Sequence, residues 1–306
     1  MAYKGDGTGR AGPPVVSAET MLNFGEPDPA LHFYYDRGSS YESETRVTEA
    51  LRALIPEEEL VHPDQRFFQI VHVATEYFWY GMHYELRRII RALDTSRYAE
   101  AAELLQRTTA MAEVPVALVK LMIQRLTQYS LLQMRRSLPE DATGFDSPGA
   151  GGLRRIAAAV WRAFEHALER YDLTPATFAL HRMEKTDAGE ELDTPLAWLA
   201  QVYEELEHLD GAVMEWRQLH MHLAWGQVGG APHGEVPQGR KLERPPQSLR
   251  GRPVSDLERI SVRPFFPELW GIPNVIFDAM TDEEATAAYL ERVGRAPHAT
   301  GARQDA

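Results

Sequence analysis

The chain has 306 residues, 44% hydrophobic and 25% charged, an ordinary globular composition with ample length for a buried core. Acidic residues outnumber basic ones 45 to 32, and a formal charge of −13 excludes nucleic acid as the main partner, because phosphate binding needs a basic footprint. With no cysteine, disulfides, thiolate nucleophiles, Cys-ligated zinc or iron–sulfur clusters and thioether-linked haem are all excluded. Any metal chemistry rests on His, Asp and Glu.

The N-terminal string MAYKGDGTGRAGPP is Gly-rich, without the apolar core of a signal peptide, and residues 1–20 read as a disordered tail. No run approaches the roughly eighteen apolar residues of a membrane span, so a cytoplasmic protein with no membrane partner is expected. The stretch from 64 to 93 predicts one long, mostly buried helix, with Phe68, His72, Thr75, Trp79, His83 and Leu86 at helical spacing. Further helices are predicted at 97–112, 114–137, 152–171 and 194–228, the last with Pro195 in its first turn. The strings at 138–151 and 229–254 are rich in Gly and Pro and read as loops, and the tail from 292 to 306 reads as frayed. No repeat and no sustained two-residue alternation is present. The expected fold is all-α, a single mainly helical domain over 21–291.

Three histidine patterns bear on chemistry. His72 sits among Phe68, Ile70, Val71 and Val73, with Glu76 one turn on. Such a histidine serves either as a hydrogen-bonded core residue or as a functional group. His220 and His222, in WRQLHMHLAW, are two residues apart on a helix and point to different faces, so one faces inward while the other meets solvent. One inward histidine is a poor zinc site but suffices for a haem iron, whose four equatorial ligands are porphyrin nitrogens. Glu205 with His208, and Glu59 with His62, reproduce the Glu-x-x-His spacing of helical di-iron sites, although the second pair abuts Pro63. No nucleophile-elbow, dinucleotide or phosphate-loop string occurs. Residues 238–263 carry seven basic residues (Arg240, Lys241, Arg244, Arg250, Arg252, Arg259 and Arg263) against three acidic ones. That reversal suits either a solvated loop or a partner for ligand carboxylates.

Four strings in order resemble the tryptophan 2,3-dioxygenase superfamily of histidine-ligated haem enzymes, over roughly residues 60–275. FFQIVHVATEYFWYGMHYEL is similar to the family's distal helix, with Phe68, His72 and Glu76 in register. RSLPEDATGFDS, at 136–147, resembles the Arg…Ala-Ser-Gly-Phe-Gln-Ser segment, with Arg136 and Phe145 at the matching interval and Thr143 in the serine position. Trp216-Arg217-Gln218-Leu219-His220 resembles the family's Trp-Arg-x-x-His, and Phe265-Phe266-Pro267-Glu268-Leu269-Trp270 its C-terminal string. Val73 stands where the family has glutamine, and the family's Thr-Gly-Gly-Ser-Ser-Gly loop is replaced by the Pro- and Arg-rich stretch from 229.

The resemblance implies a divergent helical enzyme holding haem b between the helices of His72 and His220. His220 would be the axial iron ligand and His72 a distal residue near the substrate nitrogen. Phe68 would pack on the substrate ring, and Arg136, or its neighbour Arg135, would hold the carboxylate, with Thr143 close by. The chemistry matches the residue types: Arg pairs bidentately with carboxylate, neutral His accepts or shuttles a proton, and Phe packs on a ring without polar cost. The implied activity is oxygenation of tryptophan or a tryptophan derivative, by indole 2,3-cleavage or single-oxygen insertion, with dioxygen or hydrogen peroxide. A peroxide-using tyrosine 3-hydroxylase is the alternative within the class, and a non-catalytic haem-binding protein the alternative outside it. A homo-oligomer, dimer or tetramer, is expected on the same ground.

Overall fold

A computed structural model describes residues 39–136, 147–229 and 254–281. It is all-α, with no strand among the described residues, and divides into two compact units, Met1–Ile70 and Val71–Ala306. The expected tails at 1–20 and 292–306 and most of the two loops lie outside the described residues.

The first unit holds α1 (Ser40–Thr45), α2 (Val47–Arg52), a 3-10 turn at Glu57–Glu59 and the start of α3 (Asp64–Asp94). Ser39 caps α1 by accepting from the Glu42 N–H at 3.2 Å, and Arg46, at φ 52°, turns α1 into α2. On the first turns of α3, Gln69 accepts from the Ile55 N–H at 3.1 Å and Arg66 donates to the Ile55 carbonyl. The preceding loop is thereby tied down through its own backbone.

In the second unit α3 continues, followed by α4 (Tyr98–Arg125), α5 (Gln128–Arg135), α6 (Pro148–Glu169), α7 (Pro175–Ala188), α8 (Thr194–Val228), α9 (Val254–Ser261) and α10 (Ile272–Thr281). A tight turn at Ser96, with φ 57°, folds α4 back antiparallel to α3, so that Arg107 reaches Glu85 at 3.3 Å and Met111 meets Gly81. α8 runs in the same direction as α4: Gln106 bonds Glu205 at 3.0 Å, Lys120 pairs with Glu215 at 2.7 Å, and Gln227 donates to the Leu126 carbonyl at 2.7 Å. α6 runs parallel to α3, from Gly149 beside Glu76 to Arg170 on the Leu93 carbonyl at 2.8 Å. The four long helices therefore alternate in direction along the chain. The core between them is built from Trp79, Met82, Leu86, Ile89 and Leu93 of α3, Leu104 and Leu105 of α4, Trp161 and Phe164 of α6, and Leu199, Leu206 and Leu209 of α8.

Three differences from the sequence expectations have local causes. The predicted break near 113 does not occur, and Pro115 lies inside the continuous helix α4. A proline there forfeits one backbone hydrogen bond, offset by burial of Ala112, Pro115, Val116 and Val119. The chain breaks instead at Leu126–Thr127, where the Thr127 hydroxyl accepts from the Ser130 N–H at 3.1 Å and starts α5. Helix α7 adds an element outside the predicted set: Thr174 and Thr177 form a reciprocal cap around Pro175, and Gly189 ends the helix at φ 68°.

Candidate functional site

α8 carries the strongest candidate. Trp216 and His220 are one turn apart, and their rings stack with centroids 5.0 Å apart and planes 10° from parallel. Trp79 of α3 meets Trp216 edge-on at 5.1 Å and 88°. The His220 ring is half-buried, and among the described residues its nitrogens make no hydrogen bond. Burial, and then the nearby charge of His72, push its pKa down to about 4, so the ring is neutral at physiological pH with a lone pair available. His222 is exposed and tilts against Trp225 at 5.6 Å, so the pair divides between inside and outside as its spacing required.

The depressed pKa of His220 has a consequence for the ligand-free chain. The unfolded state binds this proton near pH 6.5 and the folded state only near pH 4, so stability falls as the pH drops through that window. Denaturant melts of wild type and His220→Gln between pH 7 and pH 4 are expected to show a shallower acid slope in the variant. Equal slopes would show that the folded chain does not hold His220 neutral.

His72 stands on α3 within electrostatic reach of His220, so the structure brings the two predicted histidines together. Its surroundings differ from the expected apolar face: His72 is exposed, and Phe68 is half-buried. The buried stripe of α3 runs through Val71, Trp79, Met82, Leu86, Ile89 and Leu93. A residue one position past Val71 is rotated by about 100° from that seam. Apolar residues all around this part of the helix hid the register.

Glu76, one turn beyond His72, holds the start of α6. Its carboxylate accepts from the Ser147 hydroxyl and, at 2.9 Å, from the Gly149 N–H, while Ser147 accepts from the Ala150 N–H at 3.1 Å. Pro148 has no N–H, so this capping satisfies the first two donors of the helix. Arg136 caps the end of α5 and is exposed, Arg135 before it is half-buried, and Thr143 lies outside the described residues.

The strings around His220 and at 265–270 are joined by a buried aspartate that belongs to neither of them. Asp210, fully buried on α8, accepts from the Phe266 N–H at 2.7 Å and from the Trp270 indole N–H at 2.8 Å. Arg217, whose pKa burial lowers and Asp210 partly restores, donates to the Arg263 carbonyl. Phe265, Phe266 and Leu269 then enter the core. The available signal was an aspartate between Leu209 and Val213 on an otherwise apolar stripe.

The di-iron alternative is not assembled. Glu205 has one oxygen on Gln106 and the other 3.4 Å from His208, and His62 accepts the Asp64 N–H at the start of α3. Among the described residues no three His, Asp or Glu side chains are grouped to hold a metal ion, and no helix is long and apolar enough to cross a membrane. No protein-family model matches the chain, and no curated protein sequence matches it.

Proposed function

We propose that this protein is a haem-dependent oxygenase of aromatic amino acids, acting on tryptophan or a tryptophan derivative, in which His220 would hold the iron of haem b. The observation that supports this most is the state of His220: a neutral imidazole without a hydrogen-bond partner among the described residues, its plane set by Trp216, and His72 nearby. A single imidazole of this kind fits a haem iron, whose other ligands come from the porphyrin, and does not fit a bare metal ion.

Bound haem would supply the oxygen chemistry, and the chain's own residues the binding, orientation and proton handling. His72, exposed and near His220, is suited to accept the substrate's ring N–H or to move its proton. The carboxylate would fall to Arg136, or to its neighbour Arg135, at the end of α5. As a divergent enzyme of specialised metabolism it would work in the cytoplasm as a homo-oligomer, a dimer or a tetramer.

The test is the absorption spectrum of the purified protein with haemin added, ferric and then dithionite-reduced, while tryptophan and tyrosine are titrated in. The expected result is an intense Soret band that shifts with tryptophan. A shift with tyrosine alone, under peroxide, would replace the substrate, and no Soret band on haemin addition would end the haem reading.

A further inference from the structure

We infer that Gly149, at the start of α6, positions the His220 imidazole through Trp79 and Trp216. Glu76 and Trp79 are neighbours on one face of α3, and the first turn of α6 lies directly against both. A Cβ at Gly149 would fall 2.6 Å from the Trp79 Cβ and 2.6 Å from a Glu76 carboxylate oxygen. The Trp79 Cβ is the stem of the side chain and cannot swing aside, so any side chain at 149 displaces the indole or the helix start. Trp79 is 3% exposed, and its ring stands edge-on to Trp216, which is stacked on His220. Trp79 is in ring contact with Trp216 and Trp216 with His220, so a shift of the buried indole bears on Trp216 and through it on the imidazole.

The glycines of this turn differ in a way that makes the inference testable. Glycine in the first turns of a helix costs stability relative to alanine. At Gly151 a Cβ would meet nothing within 4 Å, so nothing in the chain's packing demands glycine there, whereas at Gly149 the contact with Trp79 does. Gly149→Ala and Gly151→Ala are the same chemical change on the same helix, and only the first presses on the tryptophan.

That ring orientation matters to iron rests on the proposed haem function; the placement of the ring itself does not. The experiment therefore begins on the ligand-free chain. The His220 ring resonances, assigned by their loss in His220→Gln, report the ring current of Trp216 and the nuclear Overhauser contacts between the two rings. Gly149→Ala is expected to move these resonances and weaken the contacts, with Gly151→Ala superimposing on wild type. Trp79→Phe, which keeps the Cβ and reduces the ring, is expected to move them as well, and it decides the matter should Gly149→Ala fail to fold. Unchanged resonances in Gly149→Ala, or in Trp79→Phe when it is the deciding variant, overturn the inference, as does an equal change in Gly151→Ala. Haemin titration follows: about a tenfold loss of affinity in Gly149→Ala and none in Gly151→Ala is expected. A wild type that takes up no haemin would defeat the haem reading while leaving the resonance comparison intact.

Discussion

Replacing His220 with alanine is expected to abolish haemin coordination: the Soret band characteristic of an imidazole-ligated iron is lost, and affinity falls about a hundredfold or more. The imidazole is the only part of the side chain that can bind iron, and its low pKa, about 4, leaves it neutral over the whole working range. Alanine leaves a ring-sized space beside Trp216, and added imidazole is expected to enter it and restore the band. Rescue separates a ligand from a residue that merely supports the fold. His222→Ala removes an exposed ring two residues away and should behave as wild type. Retention of haemin and activity by His220→Ala would transfer the ligand role to another residue and remove the main support for the proposal.

Asp210→Ala is expected to cause the largest loss of stability of any single change near this site, about 3 kcal/mol, read from urea denaturation. The carboxylate is fully buried and satisfies the Phe266 N–H at 2.7 Å and the Trp270 indole at 2.8 Å. Truncation leaves the buried Phe266 N–H unpaired and deprives the Arg217 charge of its neighbour. Trp270 is 53% exposed, so its indole finds water and adds little to the loss. Asp210→Asn keeps one acceptor and is expected to lose less. A cost within about 0.5 kcal/mol of wild type for Asp210→Ala would mean that the 265–270 string is held by its apolar residues alone.

Much of the architecture was legible because helices leave a strong periodic signal. The long helices around 64–93, 152–171 and 194–228 each pair a recurring apolar stripe with a recognisable first turn, such as Pro195 in α8. The break between α4 and α5 was misplaced because local propensity weighed Pro115 more heavily than the packing around it, and α7 went unseen because only Phe178 and Ala179 of its residues are buried. At the site, the spacing of His220 and His222 sufficed to assign one inward and one outward. The exposure of His72 was not readable, since Ile70, Val71, Val73 and Ala74 offer several equivalent apolar stripes. Nor was the role of Glu76, whose partners Ser147 and Gly149 lie more than seventy residues away.

By itself, then, the sequence determined what periodicity and composition can carry: an all-α chain without thiol chemistry, with an inward histidine on its longest helix. These are local properties, set by neighbours within a turn or two. Only the tertiary structure decided which helix faces meet. It put Trp79 against Trp216 and His72 near His220, and it spent a buried aspartate on holding the 265–270 string to α8. Those contacts depend on how side chains from distant segments fill one shared volume, and no single segment contains that information.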